Sequence, residues 1–349
     1  MAISCSTAKK RRRRTTDRSR VLLLALVFSL SSHLDAATSR QFIFETAPFA
    51  SAHASSIVEL KNGDLLAAWF GGSAEGKPDV AIWSARYHDG RWSEPRVLVR
   101  EHEIACYNPV LFYTRDGRLW LYYKFGPSPR EWTAGRAWSD DDGQTWSATE
   151  HLPAGLYGPI RTKPLVLADG TVVSGTSVES YHSWACWIER STDNGRSWHR
   201  IGPITVPHRD GIIQPSVIEL APNHLRLYAR STRNIGHICM ADSFDAGLTW
   251  SSARPLDVPN PNSGIDVVKL KDGRIVLAYN DSPDQRTPLN LALSRDGEHF
   301  QKFATLESGP GEFSYPSLIE SRSGDLLLTY TWKRRRIAFA RIPSEEIPR

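Results

Sequence analysis

The sequence predicts an all-β chain, a six-bladed β-propeller of four-stranded antiparallel blades, and three observations predict it. One phrase recurs as Ser139-Asp-Asp-Asp-Gly-Gln-Thr-Trp146, Ser191-Thr-Asp-Asn-Gly-Arg-Ser-Trp198 and Ser243-Phe-Asp-Ala-Gly-Leu-Thr-Trp250, with the tryptophans 52 residues apart in both steps. An apolar run, a turn residue and a second apolar run repeat around Gly63, Gly117, Gly170, Asn223, Gly273 and Gly324, at steps of 54, 53, 53, 50 and 51 residues. Helical periodicity is almost absent. Six repeats of about fifty residues, each with strand-turn-strand patterning, are the signature of a closed radial array rather than of a sandwich.

The elements follow in chain order. Residues 1–37 read as a signal peptide: a basic stretch, then the apolar run Val21 to Leu30, then Asp35-Ala36-Ala37. Ten apolar residues are too few to cross a bilayer and match a secretory leader, so a secreted or periplasmic product is expected, without stable membrane insertion. Eight basic and two acidic residues give this leader +6 of the formal +5, which leaves the rest at −1. A body so nearly neutral argues against a nucleic-acid partner. Residues 38–349 read as one propeller domain, since a closed ring has no excisable blade, and a monomer is expected. Cys106, Cys186 and Cys239 have neither a disulfide framework nor metal-ligand spacing. One bridge with a free thiol and three buried thiols both fit. No metal or cofactor is expected.

Each hairpin turn uses Gly or Asn because the chain there needs positive φ. In the Ser-x-Asp-x-Gly-x-x-Trp phrase, Asp accepts backbone N–H groups across a tight turn, Gly turns the chain, and Trp fills the wedge between blades. Weaker copies end at Trp92 and Phe300. Because the Asp recurs unchanged from blade to blade, it belongs to the scaffold.

The residues entering each inner strand behave in the opposite way. They are His53, Tyr107-Asn108, Arg161-Thr162-Lys163, Gln214, Ser263-Gly264-Ile265-Asp266 and Tyr315, with Pro following at 109, 164, 215 and 316. Equivalent places thus hold unlike polar groups at the centre, the pattern of a site. The loop 179–184 adds Tyr181 and His182 as a sugar-stacking and polar set. The Gly71–Gly76 loop follows a strand without a helix or a Lys-Ser/Thr pair, so it is no phosphate cradle.

The repeated phrases resemble the Asp-box of the sialidase superfamily, over roughly residues 40–340. The resemblance implies a channel site in which an arginine triad grips a sugar carboxylate, a Tyr–Glu pair supplies the nucleophile and an Asp the acid/base; a Tyr nucleophile sets sialidases apart among glycosidases. Tyr315 in Phe-Ser-Tyr-Pro-Ser resembles the nucleophile, and Arg230 and Arg286 resemble the second and third triad arginines. His53 stands where the first arginine belongs, and Gln214 where the activating Glu belongs. Asp79, Glu101 and Glu103 are the acid/base candidates nearest the right blades.

Three functions share an acidic glycan as ligand. In a glycosidase, Tyr315 is nucleophile or acid and Arg230 and Arg286 hold the carboxylate. In a uronate lyase, Arg161, Lys163 or His53 neutralises the carboxylate and His53 or His182 removes the proton. A non-catalytic binding propeller uses the same pocket, with Asn108, Gln214, Tyr181 and Asp79 as further contacts.

Overall fold

The computed structural model describes residues 38–209 and 211–349. The signal-peptide reading of residues 1–37 lies outside the described residues. The rest is the six-bladed propeller. Blade 1 runs Ser51–Glu59, Leu65–Gly72 and Ala81–His88, with an outer strand split into Arg91–Trp92 and Arg96–Val99. Blade 2 is Cys106–Tyr113, Leu119–Phe125, Thr133–Ser139 and Glu150–His151; blade 3 is Leu165–Val166, Val172–Glu179, Trp184–Ser191 and His199–Ile204. Blade 4 is Ile212–Ala221, His224–Ser231, His237–Ser243 and Arg254–Pro259; blade 5 is Asp266–Lys269, Ile275–Asn280, Leu289–Ser294 and Gln301–Glu307. Blade 6 has Phe313–Glu320, Leu326–Trp332 and Arg336–Ile342, and takes its outermost strand, Ser39–Phe42, from the N-terminal end of the domain. That strand pairs Ser39 with Arg341 and Phe42 with Ala338, so the last blade is completed by the first strand and the ring closes. Closure removes the exposed sheet edges that a chain so rich in strands would otherwise present.

The Asp-box phrases do what the repeat logic requires. In blade 2 the Ser139 hydroxyl donates to Asp141 at 2.7 Å and accepts the Gly143 N–H at 2.8 Å, while Asp141 accepts the Thr145 N–H at 2.9 Å. Blades 3 and 4 repeat this with Ser191, Asp193 and Ser197 and with Ser243, Asp245 and Thr249. The donors hold each Asp carboxyl at about 2. The tryptophans wedge between blades: Trp198 of blade 3 packs edge-on against Tyr122 of blade 2 and donates its indole N–H to that hydroxyl at 3.2 Å. All three described cysteines are free and buried, Cys186 and Cys239 in the apolar layer between blades 3 and 4.

Blade 3 departs from the regular plan. Its inner strand is only two residues long, so its second strand packs directly on the inner strand of blade 4. Gly175 makes this approach possible, because a Cβ there would lie 2.2 Å from the Pro215 carbonyl oxygen. Gly175→Ala should therefore drive these two blades apart and destabilise the domain by about 2–3 kcal/mol. Equilibrium denaturation checks this, with Gly63→Ala as a control that meets strain in φ but no neighbouring atom.

Candidate active site

Four of the inner strands carry the same deformation where they enter the channel. Ala54, Asn108, Gln214 and Tyr315 have φ of 52°, 41°, 54° and 54°, in the left-handed region. Each sits where the pairing register skips: between His53 and Ser56, Tyr107 and Val110, Ile213 and Ser216, and Ser314 and Ser317. These are β-bulges, which re-aim a side chain at the cost of a ladder bond. None is glycine, so each holds a backbone conformation costing on the order of 1 kcal/mol or more. In three of them Pro follows, contributing no N–H to a ladder already broken.

Two of these bulge side chains meet one arginine. Arg230 Nη1 donates to Tyr315 Oη at 2.5 Å and to Gln214 Oε1 at 3.1 Å. Its remaining nitrogens bind Asn262, at 3.0 and 2.6 Å to the side-chain oxygen and 2.8 Å to the carbonyl. The guanidinium carbons of Arg161, Arg230 and Arg286 lie 5.2, 5.5 and 5.4 Å from the Tyr315 ring centroid. The His53 ring packs against Tyr315 at 4.1 Å between centroids. Burial alone would raise the Tyr315 phenol, but the positive charges of Arg230 and Arg286 outweigh it and hold the phenol below its ordinary value.

Around this centre the charges are sorted. Glu312 accepts from Arg286 at 2.8 Å and from Arg334 at 2.8 Å, and Arg334 also pairs with Glu75. Arg161 is 3% exposed and bonded only to the Pro316 and Ile265 carbonyls, with Nε unpartnered. His53 Nδ1 lies 2.8 Å from the Thr331 hydroxyl, and its Nε2 is buried without a partner. Burial, reinforced by Arg334, holds His53 well below its usual range, so the ring is neutral at neutral pH. Asn108 Nδ2 is a third buried polar atom without a partner. Fifteen buried side-chain polar atoms lack a partner among the described residues; these three stand out because they belong to inner-strand entry positions, where a polar ligand could satisfy them. A cleft of about 470 Å³ opens on Arg286 and Glu312, lined also by Arg233, Asn262, Asp284 and Gln285.

Arg161 is fixed from behind. The wholly buried Lys124 donates to the Pro159 carbonyl at 2.7 Å, and Glu189 accepts the Tyr157 and Gly158 N–H groups at 3.0 and 2.5 Å. Burial pushes Lys124 down to about 7 and Glu189 up to about 7. Glycine at 264 gives Arg161 and Tyr315 room, since a Cβ there would lie 3.3 Å from Arg161 Nε and from the Tyr315 ring.

The structure thus brings His53, Arg161, Gln214, Arg230, Arg286 and Tyr315 together. Asn108 stays at the inner-strand entry of blade 2, and Lys163, Asp79, Tyr181, His182, Glu101 and Glu103 are placed elsewhere. Lys163 donates to Asp266 at 2.9 Å, and Asp266 also takes the Ser216 hydroxyl and the Leu318 N–H, a tie between blades. Asp79 is exposed and caps its own loop through the Ser73 N–H and hydroxyl at 2.8 and 2.9 Å. Tyr181, 72% exposed and beneath Arg130, and the exposed His182 lie in the link between the second and third strands of blade 3. Glu101 receives the Tyr123 hydroxyl at 2.5 Å, and Glu103 is exposed. Sequence reasoning missed Glu75, Asn262, Glu312 and Arg334. Glu312 lies three residues before Tyr315, but nothing local shows that it bridges two arginines; Arg334 was hidden in the basic run 333–336.

A ring of six blades with repeated Asp-boxes and an arginine-rich centre defines a propeller of the sialidase superfamily. The chain belongs to the BNR repeat-like domain family, whose model matches residues 63–328. Similar solved structures include a protein of unknown function from Dyadobacter fermentans, at 16% identity and TM-score 0.75, covering 87% of this chain and 98% of that one. The NanB sialidase of Streptococcus pneumoniae is similar at 12% identity and TM-score 0.73, covering 88% and 71%. The Trypanosoma rangeli sialidase is similar at 13% identity and TM-score 0.70, covering 87% and 59%. At such identities these likenesses carry the fold alone. No curated protein matches the chain in sequence.

Held down to about 2 from an ordinary 4.5, the Glu312 carboxyl stabilises the folded state above pH 4.5, and the contribution is lost as pH falls toward 2. Glu312→Gln should cost on the order of 3 kcal/mol at neutral pH. Denaturation of wild type and variant across this range should show the gap closing on the acid side.

Proposed function

We propose that the protein is a glycosidase that removes a terminal acidic sugar, with Tyr315 as nucleophile, working as a monomer outside the cytoplasm. The observation that carries this reading is the 2.5 Å contact from Arg230 to the buried Tyr315 hydroxyl, with Arg286 and Arg161 also beside the ring. A phenol in such a field is a poised nucleophile without a neighbouring base. The sialidases named above share its fold, which supports a carboxylated sugar as the substrate class.

In the reaction, the substrate carboxylate faces Arg230 and Arg286, and Asn108 and the cleft polar groups orient the ring hydroxyls. Tyr315 first gives its phenolic proton to water under the charge of Arg230 and Arg286; the phenolate Oη then attacks the anomeric carbon as the glycosidic C–O bond breaks, and the leaving oxygen keeps that electron pair and takes a proton. Water then attacks the same carbon, loses a proton, and the Tyr315 phenolate leaves. Two displacements return the sugar with retained configuration. Arg230 holds the phenolate both before attack and on its return.

A second reading rests on a different observation: the neutral His53, with its unpartnered Nε2, packed on Tyr315. With its proton on Nδ1, Nε2 offers a lone pair that could remove the C5 proton of a uronate while Tyr315 protonates the departing O4. That lyase would leave an ultraviolet-absorbing unsaturated uronate. The glycosidase is favoured because Arg230 and Arg286, beside Tyr315, stabilise a phenolate as the group that attacks and later leaves.

Tyr315→Phe should abolish turnover, a loss of at least about 1,000-fold, and leave binding of an acidic sugar nearly unchanged. A fluorinated acidic glycosyl fluoride should add one sugar mass at Tyr315, located by peptide mass spectrometry. An unsaturated product from acidic polysaccharides, with no adduct, would replace the glycosidase by the lyase.

A further inference from the structure

We propose that Glu179 is the proton-transfer carboxyl of this site, delivering the proton to the leaving oxygen and then taking one from the attacking water. The assignment rests on the glycosidase reading.

The position follows from strand geometry. Glu179 ends the second strand of blade 3, at the ring face where the inner strands begin. Alternate residues of a strand share one face, so Gly175, Ser177 and Glu179 look the same way. Gly175 touches the Pro215 backbone of blade 4, and the Ser177 hydroxyl accepts the Gln214 N–H at 3.2 Å. Glu179 comes next along that face, beyond Gln214, which in turn shares Arg230 with Tyr315.

The other carboxylates are engaged. Glu312 bridges Arg286 and Arg334, and Glu75 pairs with Arg334. Of the three acid/base candidates of the sequence reading, Asp79 is exposed and occupied with the Ser73 N–H and hydroxyl, Glu101 takes the Tyr123 hydroxyl, and Glu103 is exposed. Glu75 and Glu179 are the carboxylates whose charge acts on the Tyr315 phenol. Of these only Glu179 makes no hydrogen bond or ion pair among the described residues, and it is half-buried. Burial raises its carboxyl against the pull of Arg230, the direction a proton donor needs.

Protons and electron pairs balance. In the first step the Glu179 carboxylic acid gives its proton to the leaving oxygen, which departs as a neutral alcohol with the electron pair of the broken C–O bond, while Tyr315 Oη forms its bond to the anomeric carbon. In the second step the Glu179 carboxylate removes a proton from water, the water oxygen bonds to that carbon, and the phenolate departs with the electrons of its own C–O bond. The acid and the phenolate are both restored.

The test compares kcat/KM for aryl glycosides of N-acetylneuraminic acid and of glucuronic acid, with leaving phenols graded from nitro-substituted to unsubstituted. For Glu179→Gln, with an unfolding midpoint like wild type, the unsubstituted phenyl glycoside should lose about 100-fold or more and the nitrophenyl glycoside little. For Glu179→Ala, azide should restore kcat on the nitrophenyl substrate and give a glycosyl azide. An equal loss on all leaving groups, or the graded loss appearing in Glu75→Gln instead, overturns the assignment while leaving the glycosidase in place. A wild-type protein that turns over no acidic glycoside removes the glycosidase and this role together.

Discussion

Positive charge held at the axis of the ring is the constraint on which the rest depends. Arg161 reaches from blade 3 to carbonyls of blades 5 and 6, and Arg230 is bound only by neutral oxygens of Gln214, Asn262 and Tyr315. A guanidinium taken from water without a bonded carboxylate costs several kcal/mol unless directed oxygens replace the lost hydration. Those oxygens come from different blades, so they converge only when the ring is closed. Closure by the strand Ser39–Phe42 and the stability of the central charges are therefore one requirement. The bulges belong to it as well: Tyr315 and Gln214 meet Arg230 because their backbones leave the regular ladder.

The carboxylates then decide which cations stay available. Glu312 takes Arg286 and Arg334 together, and Glu75 takes Arg334 as well, so these two guanidiniums face two carboxylates. Among the described residues no carboxylate bonds Arg161 or Arg230. An anion entering the channel meets the field of these two cations, one of them already bound to a phenol. The same excess lowers the phenol and would attract an anion, so in the proposed reaction nucleophile activation and recognition of an acidic sugar would share one electrostatic cause.

The ring was legible in the sequence because repetition is a global signal. Gly63 and its five counterparts, and the three tryptophans of the Asp-boxes, report the period whatever each blade contains. The centre was legible in part for the same reason: equivalent entry positions that differ in chemistry stand out once the register is known, and His53, Arg161, Gln214, Arg230, Arg286 and Tyr315 converge. Residues outside the entry positions were harder to place. Lys163 is two residues from Arg161, yet its chain drops to Asp266 and ties blades. Glu312 and Arg334 gain their meaning from each other across a blade. Tyr181 and His182 had suitable chemistry but lie in a link whose course the repeat does not fix.

The two departures from the superfamily pattern, His53 and Gln214, make sense together. A carboxylate at position 214 would sit 3.1 Å from Arg230 and draw off the charge that now bears on Tyr315. With a neutral amide there, the phenol is lowered by cations rather than by a base. An arginine at position 53 would add a further charge against Arg334, Arg286 and Arg161, the same groups that keep His53 neutral. A neutral imidazole fills the space, packs at a tilt against the Tyr315 ring and leaves one nitrogen for a hydrogen bond. Arg161 and Arg334, from blades 3 and 6, supply the charge that position 53 lacks. Positive charge at the centre is thus supplied by other blades than position 53, and under the proposed function this is how the site would work although two positions of the resemblance are altered.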